Sequence, residues 1–315
     1  MKLQTTISLK PERNQIDYDA NVLLLGSCFA ENIGEKLSHF KFQNSVNPFG
    51  ILFHPVAIEK IVTRAINQEF FTEEDVFFHN EQWHCFEVHS KLSARNKEDF
   101  LANLNDQLSV LNTTIKEATH IILTFGTSWV YREIESDTLV ANCYKLPQKL
   151  FLKELLSPDE VSGSVSAMEK LIKDFNHKTK IVYTVSPIRH IKEGIVENSR
   201  SKAHLLAGVH ENVEPLNHSH YFPAYEIVLD ELRDYRFYQE DMLHPNNIAI
   251  SIIWEKFKHV WVSSETEPFQ REIDIIQKGL QHRPFDENSM SHKEFLLSIE
   301  QKIKKLQLEL PHLNF

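Results

Sequence analysis

Apolar positions along the chain fall into two kinds of pattern. Val22-Leu23-Leu24-Leu25, Ile121-Ile122-Leu123-Thr124-Phe125 and Ile181-Val182-Tyr183-Thr184-Val185 are short, nearly unbroken apolar runs. Such runs predict strands covered on both faces, as in a parallel sheet. Each stops at a turn signal: Gly26-Ser27, Gly126 and Ser186-Pro187. Between the runs the spacing is helical. Phe29, Ile33 and Leu37 make one stripe, Ile58, Ile61, Val62, Ala65 and Ile66 another, and Phe100, Leu101, Leu104, Leu108 and Leu111 a third. Strands alternating with helices predict an α/β fold, a doubly wound parallel sheet in three α/β/α layers.

Two segments interrupt this alternation. Residues 76–88 read as a β-hairpin turning at Asn80-Glu81, and residues 130–144 as a second, turning near Ser136-Asp137. Insertions of this kind sit over sheet ends, where sites form. After residue 262 strand signals stop, and Glu267 to Gln281 and Ser291 to Leu308 are amphipathic and polar. We therefore expect an α/β domain over residues 1–262 and a helical extension over residues 263–315 packed on its outside.

Charge narrows the partners. Lys and Arg total 34 against 44 Asp and Glu, a net −10. Nucleic acid and anionic membranes both need a cationic face, so neither is expected as a partner. Cys28, Cys85 and Cys143 form no disulfide framework, which suits a reducing compartment. The first residues lack the apolar stretch of a signal peptide, and no run approaches the ~20 residues of a membrane span. The expectation is a soluble, cytoplasmic protein.

The common nucleotide and hydrolase motifs, G-x-G-x-x-G, G-K-[ST] and G-x-S-x-G, do not occur. Ser27, by contrast, stands where the first strand turns into the first helix, at the sheet edge where ligands bind in open parallel sheets. A serine there either caps the helix or acts as a nucleophile once a base takes its proton. Near the end of the α/β region, Asp241 and His244 lie three residues apart before Pro245. In one tight turn the carboxylate can hold Nδ1–H and leave Nε2 free to accept a proton. Pro245 is expected to stiffen the turn and start the following helix.

A strand-end Gly-Ser with a late Asp-x-x-His-Pro resembles the SGNH (GDSL-type) hydrolase superfamily. Within it, Gly26-Ser27-Cys28-Phe29-Ala30 resembles the GSCFA family, together with Asn47-Pro48-Phe49-Gly50, Phe125-Gly126-Thr127-Ser128-Trp129-Val130-Tyr131, Asn142-Cys143-Tyr144-Lys145, Val185-Ser186-Pro187-Ile188-Arg189-His190 and the stretches 221–226 and 230–238. The resemblance implies an SGNH-type, flavodoxin-like fold, with Ser27 as nucleophile, His244 as general base and Asp241 as its orienter. It also implies an oxyanion hole from the backbone N–H groups of Ser27 and Gly50, where a glycine allows close approach. The superfamily's third block reads Gly-x-Asn, whereas this chain has Gly126-Thr127-Ser128. Either the Ser128 hydroxyl or the Asn142 amide is expected to supply that donor. The implied function is a serine esterase or acyltransferase acting on a small O-acyl ester, such as an O-acetyl carbohydrate, through an acyl-serine. No cofactor or metal is implied. A non-catalytic carbohydrate- or protein-binding module on the same fold is the alternative.

Arg189 and His190, after the third strand signal, are candidates for substrate binding, Arg189 on an anionic group or in an ion pair with Asp230, Glu231 or Asp234. Lys145 is a further candidate. Trp83, Trp129, Tyr144 and Tyr221 are candidates for a sugar platform. Cys28 is expected to be packed rather than reactive. His79, His84 and His89, five apart on a hairpin, alternate faces and so do not predict a shared metal. His218 and His220 share a face if extended, but two ligands make no site.

Overall fold

A computed structural model of the chain describes residues 4–214, 219–286 and 289–315. Strand β1 (Val22–Gly26) is buried throughout, as its unbroken apolar run requires. It leads through Ser27 into α1 (Cys28–His39). Strand β2 (Asn44–Val46) follows, then α2 (Pro55–Asn67), the hairpin β3 (Phe77–His79) and β4 (Gln82–His84), and α3 (Lys97–Glu117). Next come β5 (His120–Phe125), β6 (Trp129–Glu133), β7 (Thr138–Val140), β8 (Phe151–Leu155) and α4 (Pro158–Phe175). The rest is β9 (Lys180–Val185), α5 (Ile195–His210), β10 (Ser219–Tyr221), the short α6 (Ala224–Glu226), α7 (Asn247–Trp261), α8 (Glu267–Gln281) and α9 (Met290–Glu309).

Five strands form one sheet in the order β10-β9-β5-β1-β2, with every described pairing parallel. Strand alternation divides its apolar residues between two cores. Leu23, Leu25, Ile121, Leu123, Phe125, Ile181 and Val185 face α2, α3, α4 and α5. Val22, Leu24, Ile122 and Val182 face α1, α7 and the C-terminal helices. The result is the expected three-layer α/β/α arrangement. Ile273 and Ile276 of α8 and Ile299 and Leu306 of α9 are buried in this second core, so the C-terminal helices complete it.

Several local expectations are corrected. The first hairpin turns at Asn80 and Glu81, both left-handed (φ 46° and 60°), but its strands are short. The second hairpin ends at Val140, and Phe151–Leu155 joins it as a third strand on the other side of β6. Residues 142–145 make a turn instead, with Tyr144 and Lys145 left-handed. Pro245 does not start α7. Asn246 caps it, its Oδ1 accepting from the N–H groups of Ile248 and Ala249. His218 lies outside the described residues. No helix among the described residues is long and apolar enough to cross a membrane.

Candidate functional site

The carboxyl ends of β1, β5 and β9 carry the candidate residues. Ser27 caps α1, its Oγ accepting from Phe29 N–H at 3.3 Å. It is 0% exposed. Its own N–H extends the sheet by donating to Thr124 O at 3.0 Å. Gly26 N–H donates to Asn47 Oδ1 at 2.8 Å, which ties the loop after β2 to this turn. Asn47 Nδ2 is left buried and unpartnered.

Asp241 and His244 occupy one tight turn. Asp241 Oδ1 accepts from Leu243 N–H at 2.8 Å and His244 N–H at 3.0 Å, while Oδ2 lies 2.6 Å from His244 Nδ1. Those two backbone bonds, His244 first, and then the imidazole pull the Asp241 carboxyl down to about 2, so it is ionised at every physiological pH. With Nδ1 directed at the carboxylate, His244 Nε2 is the free nitrogen. The pair is 42% exposed on each side. Among the described residues no hydrogen bond joins Ser27 to His244.

The two halves meet through the loop after β9. Arg189 N–H donates to Leu243 O at 3.3 Å, and its guanidinium donates to Met242 O at 3.2 Å. The same guanidinium lies over Tyr238 at 4.3 Å and Tyr235 at 5.3 Å. Arg189 therefore clamps the Asp241–His244 turn through carbonyls and rings, and no described ion pair links it to Asp230, Glu231 or Asp234. The next residue, His190, and Ser27 both border Gly126. A Cβ built on Gly126 would meet His190 Nε2 at 3.1 Å, Phe53 O at 3.3 Å and Ser27 Cβ at 3.3 Å. His190 Nε2 is buried and has no partner among the described residues.

The backbone oxyanion donors are engaged. Besides the Ser27 N–H, that of Gly50 donates to Asn47 O at 2.7 Å, closing a turn. Gly50 is required by its φ of +72° and by His89, whose Cβ would stand 2.4 Å from an added Cβ. Ser128 is fully buried, with its Oγ bonded to Ser201 O and Oγ at 3.1 Å each. Asn142 Oδ1 accepts from Tyr144 N–H at 2.8 Å.

Asn142, Lys145, Trp129 and Tyr144 instead line a cavity of about 380 Å³ beside the strand ends, whose wall includes Phe53 and Thr127. Tyr144 is mainly structural: its hydroxyl lies 2.6 Å from the carbonyl oxygens of both Cys85 and Val88 and can donate to one of them. Trp129 Nε1–H donates to Glu197 O at 3.3 Å, and Lys153 lies over its ring. Lys192 lines the same cavity and bonds Tyr131. Trp83 and Tyr221 are absent from that wall, Tyr221 donating to Glu226.

Helix α5 supplies what the sequence reading missed. Asn198, Ser201 and Lys202 are buried and share one helical face with Leu205 and Val209. Asn198 Oδ1 accepts from His190 N–H at 2.8 Å. Ser201 holds Ser128 and Thr127. Lys202 Nζ donates to Gly126 O and Ser186 O at 2.6 Å each. Burial lowers the Lys202 amine to about 7. The visible signal was a polar residue at 198, 201 and 202 within an otherwise apolar stripe.

His54 was also missed. It caps α2 through Nδ1, with Nε2 donating to Val140 O at 3.2 Å, and burial lowers it to about 4. Cys28 is partly buried, and burial raises its thiol. His84 places its nitrogens on Ser93 Oγ and His79 O. Among the described residues no three His, Cys, Asp or Glu side chains are placed to share a metal.

Every histidine with a resolved shift is lowered by burial: His54, His84, His89, His120, His190 and His220. Below the ordinary 6.5 the unfolded chain binds protons that the folded chain refuses, so stability rises with pH over that window. Each fully refused proton contributes about 1.4 kcal/mol per pH unit. The thermal midpoint is expected to climb from pH 5 to pH 7. A flat or falling midpoint in differential scanning calorimetry contradicts this placement of the histidines.

A central parallel sheet between helices, with a polar site at the carboxyl ends of its strands, defines a three-layer α/β protein. The sequence profile of the GSCFA family matches residues 21–257, and that of the GSCFA domain protein C-terminal domain matches residues 273–315. The chain belongs to the GSCFA family. No curated protein matches it. Among solved structures it is similar to an acetyl esterase mutant crystallised with acetate ion, at 8% identity and a TM-score of 0.37, covering 81% of this chain and 99% of that one. It is also similar to a carbohydrate esterase family 3 protein from Talaromyces cellulolyticus, at 10% identity and a TM-score of 0.36, covering 76% and 94%. At these values neither likeness bears on chemistry.

Proposed function

We propose that this protein is a serine esterase or acyltransferase that forms an acyl-enzyme on Ser27. The observation that carries the reading is the Asp241–His244 pair, clamped by Arg189 to the loop whose next residue borders Gly126 together with Ser27. In this reading His244 Nε2 takes the Ser27 proton as Oγ attacks the acyl carbon, and Asp241 stabilises the imidazolium. The alcohol then leaves with that proton, and water or a second hydroxyl accepts the acyl group. The adjoining cavity suits the alcohol part of a small O-acyl ester such as an O-acetyl carbohydrate. Phe53 and Trp129 offer apolar surface there, and Asn142, Gln148 and Lys145 offer polar groups.

Because Ser27 is fully covered, the reading requires a local opening over it for substrate to enter. The same burial favours the second reading, a carbohydrate-binding module that uses the cavity alone. A fluorophosphonate probe separates the two. The expected result is covalent labelling of wild-type protein and hydrolysis of p-nitrophenyl acetate, both lost in Ser27→Ala and His244→Ala. Unlabelled wild type with no turnover supports the binding module instead.

A further inference from the structure

The donors expected from main chain and from the third sequence block are all engaged elsewhere. Ser27 N–H is on Thr124 O, Gly50 N–H on Asn47 O, and Ser128 Oγ on Ser201, while Asn142 lines the adjoining cavity with its oxygen on Tyr144 N–H. An acyl-transfer site still needs a hydrogen-bond donor where negative charge develops on the carbonyl oxygen. We propose that His190 fills this role, its Nε2–H donating to the oxyanion formed at Ser27. This rests on the reading of Ser27 as nucleophile.

Three observations carry it. First, His190 Nε2 is buried without a partner, and a buried polar atom left unpaired is costly unless something binds there. Second, it and Ser27 Cβ line the same space, at 3.1 and 3.3 Å from where a Gly126 side chain would begin. Third, the ring is fixed. Its backbone N–H is held by Asn198, its ring packs T-shaped with that of Phe53 at a centroid distance of 5.3 Å, and the preceding residue, Arg189, is anchored on Met242 O. A donor set in advance needs no reorganisation when charge appears.

The electrostatic surroundings suit a donor and not a base. Burial, then the charges of Lys202 and His244 that face the ring, push His190 down to about 3. So weakly basic an imidazole is a poor acceptor for a serine proton. A neutral imidazole is nevertheless a good hydrogen-bond donor, a use of histidine known in other enzymes. The roles therefore divide. His244 Nε2 receives the Oγ proton as the Oγ–C bond forms and the carbonyl π pair moves onto oxygen. His190 Nε2–H holds that oxygen without giving up its proton. On collapse the pair returns to the C=O bond, the ester C–O bond breaks, and the leaving alkoxide takes the proton from His244.

The test uses full-length protein and p-nitrophenyl acetate, with kcat and KM measured for wild type, Ser27→Ala, His190→Phe and His190→Gln. His190→Phe keeps a ring but no donor, and is expected to lower kcat by ~10²–10³ with KM little changed. His190→Gln, whose amide N–H can reach the Nε2 position, is expected to recover most of that loss. Nitrogen-15 NMR of the wild-type side chain at pH 6 is expected to show neutral His190 with the proton on Nε2. Wild-type kcat in His190→Phe, alongside inactive Ser27→Ala, overturns this inference and leaves the Ser27 reading standing. So does a spectrum with Nε2 unprotonated. Undiminished turnover in Ser27→Ala overturns both.

Discussion

Gly26→Ala is expected to yield little folded protein. Gly26 sits at the end of β1 with φ +135°, a conformation that side chains rarely adopt. A Cβ there would stand 2.0 Å from Thr124 O and under 3 Å from Thr124 C and N, inside the β1–β5 pairing. The obstruction is main chain in a central strand and cannot rotate away. The cost is expected to be on the order of 4 kcal/mol or more, a large part of the roughly 5–15 kcal/mol that holds a domain folded. Gly163→Ala is the control. Gly163 lies inside α4 with nothing within 4 Å of an added Cβ, so the substitution is expected to stabilise by about 0.5–1 kcal/mol. Urea unfolding of the two variants beside wild type decides the matter. A Gly26→Ala protein with a wild-type midpoint contradicts the packing described at this turn.

Asp241→Asn is expected to lower kcat by ~10⁴ with the fold intact. The asparagine oxygen can still accept from Leu243 and His244 N–H, so the turn survives. Its amide cannot accept from His244 Nδ1–H, however, and instead donates to that nitrogen. The imidazole proton then moves to Nε2, the atom that must be empty to take the serine proton. Steady-state kinetics on p-nitrophenyl acetate, with thermal melts alongside, separate the two effects. A variant within tenfold of wild-type kcat would show that Asp241 does not set the tautomer of the reacting base. Loss of both melt and activity would place Asp241 in the scaffold of the turn.

The layered fold was legible because its signal is local. The nearly unbroken apolar runs of β1, β5 and β9 can be covered only from both sides, and the helical stripes between them state what covers each face. Strands β2, β8 and β10 were not legible. β2 and β10 are three-residue edges, and β8 carries exposed Leu152 and Lys153. All three are strands only because a neighbour's unpaired N–H and C=O groups face them. At the site, the Gly-Ser turn and the Asp-x-x-His turn could be read because the atoms that matter lie within four residues of each other.

What lies between those turns was settled by tertiary structure. Nothing in Ser128 or Gly50 announces that its hydrogen-bonding group is committed to Ser201 or Asn47. Nothing in Arg189 says that it grips two carbonyls and two tyrosine rings. Nor does a polar residue at 198, 201 and 202 reveal which loops it will hold. A hydrogen-bond donor serves whichever acceptor the fold brings within 3 Å, and that choice depends on segments far apart in the chain. By itself, then, the sequence determined the layers, the two chemical turns and their place at the sheet edge. Only the folded chain decided that His190 Nε2 stands unpartnered where it and Ser27 border Gly126, and that Lys202 lies buried on the carbonyls of Gly126 and Ser186.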